Sequence, residues 1–165
     1  MFVNDKKICN DNNNHKCILV YQVKDKNGST GATGSVQSPP YNLYVQSSAS
    51  PGGDGSIISP FRTIDEALSM VFPNGTINVL PGVYPVMSQL NLNVEGLTIK
   101  GNPGSMIVLE GNIIPILCNA NYITIDGLTI TSNIPYPVEF IQVACDYNQI
   151  VNCEIINQEI YLLGW

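Results

Sequence analysis

Apolar and polar residues alternate with a period of two along most of the chain, in short runs separated by Gly or Asn. Such alternation predicts strands with one face buried. The runs are Asn42 to Gln46, Thr76 to Leu80, Leu90 to Val94, Leu97 to Gly101, Met106 to Glu110, Ile114 to Cys118, Tyr122 to Asp126, Leu128 to Ser132, Val138 to Ala144, Gln149 to Cys153 and Glu154 to Leu163. One stretch follows a different period. In "SPFRTIDEALSMVF" the residues Ile64, Ala67, Leu68 and Val71 recur at helical spacing. Thr63 and Glu66 form a capping-box pair at its start, and Pro73-Asn74-Gly75 stops it.

Internal similarity sets how the strands are arranged. "NVEGLTIKGN" from Asn93 matches "TIDGLTITSN" from Thr124, and "IVNCEIINQ" from Ile150 echoes both. The spacings are 31 residues from Gly96 to Gly127 and 26 from Gly127 to Cys153. Repeats of this size, each holding several short strands, predict a solenoid in which every strand stacks on its counterpart about 4.8 Å away. Val94, Leu97, Ile99, Ile123, Ile125, Leu128 and Ile130 are then the core, and about four turns fit the length. Glu95 and Asp126 hold matching places in this alignment and would stack. The lone helix is expected to lie across the first turn, covering both its apolar end and its unpaired strand edge.

These elements resemble the beginning of a parallel β-helix. "LYVQ", "GGDGS", "SPFRTIDEAL" and "GTINVLPGVY", followed by "GLTIKG" and "IDGLTI", together look like the pectin-lyase-like superfamily over roughly residues 42–133. The resemblance implies an all-β fold: a short right-handed parallel β-helix with one N-terminal capping helix and an extended N-terminal tail. For activity it implies little, since lyases, hydrolases, epimerases, tailspikes and inactive surface proteins share it. Lyases of this kind pair acidic calcium ligands with an arginine or lysine base, but beyond the tail only Arg62 and Lys100 are basic. The hydrolases carry clustered aspartates, Gly-His-Gly and Arg-Ile-Lys. Here Asp126 stands alone in "IDG", and the single histidine is His15 in the tail. No catalytic residue, metal site or cofactor is read. Gly52-Gly53-Asp54-Gly55 is a turn before it is a calcium loop, and Cys9, His15 and Cys17 lack a fourth zinc ligand. A carbohydrate-binding or truncated lyase- or hydrolase-like module remains the competing class, with Tyr136 and Asp126 as candidate sugar contacts.

Charge narrows the partners. Residues through Lys26 carry five Lys and three acids; from Asn27 onward Arg62 and Lys100 face ten acids, a net of −8. Such a body repels nucleic acid and polyanionic sugars. Charged residues are only 12% of the chain, a composition common among extracellular surface proteins. Lys6 and Lys7 imitate the basic region of a secretory leader, but "ICNDNNNHK" follows where an apolar run is required, and no apolar run is long enough for a membrane span.

The tail divides into a connector, 1–27, with a strand at Cys17 to Val23, and a Gly/Ser/Thr linker, 28–40; the solenoid takes 41–165. "GSTGATGS" is similar to collagen-like segments of spore-surface proteins and of some giant viruses, over eight residues. The run "CILVYQV" finds no partner nearby in sequence, and nothing after "EIINQEIYLL" reads as a second cap. These features predict a head-to-tail homopolymer on a spore, cell or virion surface. Cys17, Ile18, Leu19, Val20, Tyr21 and Val23 would dock on a neighbour, against Ile160, Leu162, Leu163 and Trp165. Cys9 and Cys17 would lock that joint as an intersubunit disulfide. In the alternative the strand folds back on its own solenoid. A trimeric adhesin or fibre tip is a further possibility.

Overall fold

The computed structural model describes residues 42–111, 114–134 and 139–157, together with the backbone of 6–10 and 16–20. The N-terminal pair of strands is β1 (Lys6–Asn10) and β2 (Lys16–Val20). β3 (Asn42–Val45) and α1 (Ile64–Met70) open the body. Three turns of three strands follow. The first is β4 (Thr76–Val79), β5 (Gly82–Val86) and β6 (Leu90–Leu92). The second is β7 (Thr98–Gly101), β8 (Ser105–Leu109) and β9 (Ile116–Cys118). The third is β10 (Thr124–Asp126), β11 (Thr129–Ser132) and β12 (Ile141–Val143). A fourth turn contributes β13 (Gln149–Val151) and β14 (Glu154–Ile156).

From β3 to β14 the strands of successive turns pair in parallel with their counterparts, forming three sheets of a β-solenoid. One row shows why. Leu43, Ile77, Ile99, Ile125 and Ile150 stand directly over one another, and each is at most 4% exposed. Parallel strands at this spacing bring like side chains into contact, and a row of branched aliphatics fills the interior without polar atoms. Leu97, Ile123, Leu128 and Ile130 are fully buried as the alternation predicts, and Val94 packs partly buried against the core.

The true repeat differs from the sequence alignment. Thr98 pairs with both Thr76 and Thr124, and Thr124 with Gln149, so successive turns take 22, 26 and 25 residues. The two "GLTI" motifs therefore lie in different sheets: the first leads into β7 and the second into β11. Asp126 faces Lys100 across the rung, not Glu95. A two-residue corner joins β10 to β11, whereas three residues, Asn102-Pro103-Gly104, join β7 to β8. The local word is the same, but the chain meets it at a different corner.

The helix is shorter than its apolar period suggests, and its cap is as read. The Glu66 N–H donates to Thr63 Oγ1, and the Glu66 carboxylate accepts from the Thr63 N–H. Ile64, Ala67 and Val71 are buried, and α1 packs on β3, β4 and β6.

Candidate functional site: the two ends of the solenoid

A stack of strands is sealed along its length and vulnerable at its ends, where each sheet presents an edge of unpaired N–H and C=O groups. At the head the three edges are managed in three ways. β3 is covered by the loop that follows it. The Tyr44 N–H donates to the Gly55 carbonyl (2.8 Å), the Phe61 N–H to the Tyr44 carbonyl (2.9 Å), and the Gln46 N–H to the Phe61 carbonyl (2.8 Å). A side chain at Gly55 would strike the Phe61 ring, and one at Gly53 the Pro60 carbonyl, so the glycines let this loop lie flat on the strand. Asp54 serves the same loop. Its carboxylate accepts from the Ser56 N–H at 2.9 Å, and hydrogen bonds from Ser56 hold its pKa below the usual value.

β5 is blunted instead. The Gly82 N–H and the Val86 carbonyl bond toward β8, which leaves Val83 and Pro85 as the outward positions. Pro85 has no N–H to offer a newcomer. The third edge, β6, has α1 packed against it. The sequence reading gives the helix both tasks at the head. In the structure the loop closes the edge of β3, and the helix covers the core. A groove of about 240 Å³ remains between the first turn of α1 and β5, lined by Ser47, Arg62, Asp65, Val83 and Pro85 among others. Desolvation raises the Asp65 carboxyl there.

At the tail, among the described residues, β12 and β13 each end their sheets, whereas β14 does not. β2 pairs antiparallel with β14, Cys17 opposite Ile155, and β1 pairs antiparallel with β2. "KKICN" is thus the local partner that the sequence reading misses for "CILVYQV". The register continues a core row: Tyr84, Ile107, Ile130, Ile155, Cys17 and Cys9 occupy successive places across the six-stranded sheet. Tyr84, Ile107 and Ile130 are buried and Ile155 packs partly buried against the core. Of the expected docking residues, Cys17, Ile18, Leu19 and Val20 lie on β2. Tyr21, Val23, Ile160, Leu162, Leu163 and Trp165 fall outside the described residues, as do His15 and Tyr136.

Asp126, the other candidate sugar contact, is engaged within the solenoid: its carboxylate accepts from Asn152 Nδ2 at 2.8 Å. Asn152 (φ 53°) fills the corner that Gly127 (φ 71°) occupies one turn earlier. On another corner, Asn74, Gly96, Tyr122 and Tyr147 follow one another along the stack, all at φ between 60° and 71°. The last two rings stack at 4.9 Å and 7° and are about half exposed. Bulky residues seldom take this conformation; no pattern of apolar residues signals it. One face of each ring is turned toward the other.

Among the described residues no group of three His, Cys, Asp or Glu side chains could hold a metal ion. Cys118, Cys145 and Cys153 are free thiols; Cys118 and Cys153 are buried, and Cys145 is half-buried. Burial, with a smaller contribution from nearby Cys145, pushes the Cys118 thiol from its ordinary 9.0 to about 12. The unfolded chain ionises first, so this contribution to stability is complete below pH 9 and disappears as pH rises toward 12. Cys153 and Tyr84 are shifted upward as well, chiefly by burial. The denaturation midpoint should therefore fall from about pH 8 to about pH 11, with a shallower slope in Cys118→Ala. Equal slopes would mean that this thiol is hydrated.

No protein-family model matches the chain, and no curated protein or solved structure is found to match it.

Proposed function

We propose that this chain is a non-catalytic structural subunit whose N-terminal strand closes the tail of a β-solenoid, either its own or a neighbour's. Passed from copy to copy, that pairing builds a head-to-tail fibre or layer. The observation that carries the reading is the pairing of β2 with β14. The edge that β14 presents is completed by a segment that 21 residues, 21–41, separate from the body. The same contact made between copies is a strand exchange, a low-cost route to assembly. The managed head supports a direction: with β3 covered and Pro85 on β5, the tail is the better acceptor. The pectin-lyase-like resemblance belongs to this reading as a scaffold without catalytic sets. The low charge and the collagen-like words favour a spore, cell or virion surface.

The test is complementation in trans. A body lacking residues 1–27 should bind a synthetic peptide of residues 1–24, and amide exchange at Glu154–Ile156 should slow when it does. The full chain at high concentration should form linear assemblies by electron microscopy. A peptide that does not bind, together with a chain that stays monomeric at every concentration, would overturn the reading. A closed trimer by light scattering would replace the fibre with a tip.

A further inference from the structure

The register of the N-terminal hairpin pairs Cys9 directly with Cys17. Directly opposed residues of antiparallel strands have Cα atoms about 4.5 or 5.5 Å apart, inside the range of about 4.4–6.8 Å that a disulfide spans. The five residues between the strands, Asp11-Asn12-Asn13-Asn14-His15, are rich in the types that turn a chain. Cys17 is also the residue that stands opposite Ile155 on β14. The pair therefore sits at the joint between hairpin and body, in the row that continues Tyr84, Ile107, Ile130 and Ile155.

We propose that Cys9 and Cys17 form a disulfide within one chain, a staple that holds the closing strand in its paired form. The sequence reading places a bond between these residues across subunits; the hairpin register sets the same two residues opposite each other inside one chain. This inference rests on the hairpin and its docking as proposed above, and it adds their regulation. The chemistry needs a disulfide oxidant, such as oxidised glutathione. One cysteine thiolate attacks an oxidant sulfur and releases a thiolate. The second attacks the mixed disulfide and releases another. The pair loses two protons and two electrons, and the oxidant becomes two thiols. Unstapled, β1 and β2 must be ordered when they dock. Stapled, they arrive as a hairpin, because closing so short a loop restricts the undocked state. Oxidation should slow amide exchange at Glu154–Ile156 by at least about tenfold. It would do so in an oxidising compartment and not in a reducing one.

The experiment uses the full chain. Purified protein is incubated with oxidised glutathione or with reductant, and free thiols are counted in denaturant. Of five cysteines, three should remain free after oxidation, with a monomer band on a non-reducing denaturing gel. Trypsin should yield the peptide containing Cys9 (8–16) linked to that containing Cys17 (17–24). Cys9→Ser should abolish both the linkage and the slowed exchange, while the reduced wild type stays folded. Five free thiols, or a dimer band with Cys9 or Cys17 bridging two chains, would overturn the staple. The two proposals separate cleanly. Three free thiols in a chain that never assembles sink the fibre alone, and fibres with five free thiols sink the staple alone.

Discussion

Cutting the 21 residues between β2 and β3 down to four should convert a chain that closes on itself into one that cannot. β2 lies one place beyond β14, in the turn of β13, and β3 is four places below β13 in the five-stranded sheet. The connection must therefore climb five strand spacings, roughly 24 Å at about 4.8 Å each. Twenty-one residues reach this easily, since an extended chain covers up to about 3.3–3.6 Å per residue. Four residues give five Cα steps, at most about 18 Å, which falls short even when fully drawn out. The strand can then satisfy β14 only on another copy. Light scattering after gel filtration should show dimers and longer species for the shortened chain at a dilution at which the full chain still closes on itself as a monomer. Adding the free peptide of residues 1–24 should compete and reduce their size. A shortened chain that remains monomeric at every concentration would show that β2 does not hold the edge of β14 firmly enough to join two molecules.

The second large effect lies in the body. Ile125→Ala should cost about 3–4 kcal/mol, from lost burial plus the cavity left behind. Ile125 is fully buried, with Ile99 beneath it and Ile150 above. No long side chain can swing in, because each neighbour is held in its own rung. A solenoid couples only adjacent turns, so a gap in the third turn also weakens the hold of β13 and β14. For a domain whose total stability is about 5–15 kcal/mol this is a large fraction. The denaturant midpoint of the body should fall accordingly, and amide exchange should quicken first at β13 and β14. Lys100→Ala, one residue beyond Ile99 on the exposed side, is the control and should change the unfolding free energy by less than about 0.5 kcal/mol. Equal losses at the two sites would contradict the stacked-row account of the core.

Legibility in the sequence followed the physics of each element. Inward positions such as Ile99, Ile125 and Ile130 could be read because a half-buried strand must alternate. The helix could be read because Thr63 and Glu66 satisfy a helix start locally. β5 was hidden: Gly82 and Pro85 lower strand propensity, and they are tolerated because the strand lies at an edge. β1 was hidden for a related reason. "KKICN" has little apolar content, and it becomes a strand only through β2. The repeat was visible but misaligned, because "GLTI" serves two different corners of the coil. The Tyr122–Tyr147 stack carries no local signal, since neither tyrosine sits in a sequence that favours positive φ.

The sequence by itself determined that the chain is built of short parallel strands around an aliphatic interior, with one capped helix at the head, because alternation and helix caps are local and survive without knowledge of neighbours. The tertiary structure alone decided which strand stands over which. It assigned the three head edges to a loop, a proline and a helix, and it set β2 on β14 with Cys17 opposite Ile155. Edges and registers are relations between residues far apart in the chain, and hydrogen-bond pairing in the stack settles them only once the coil has closed.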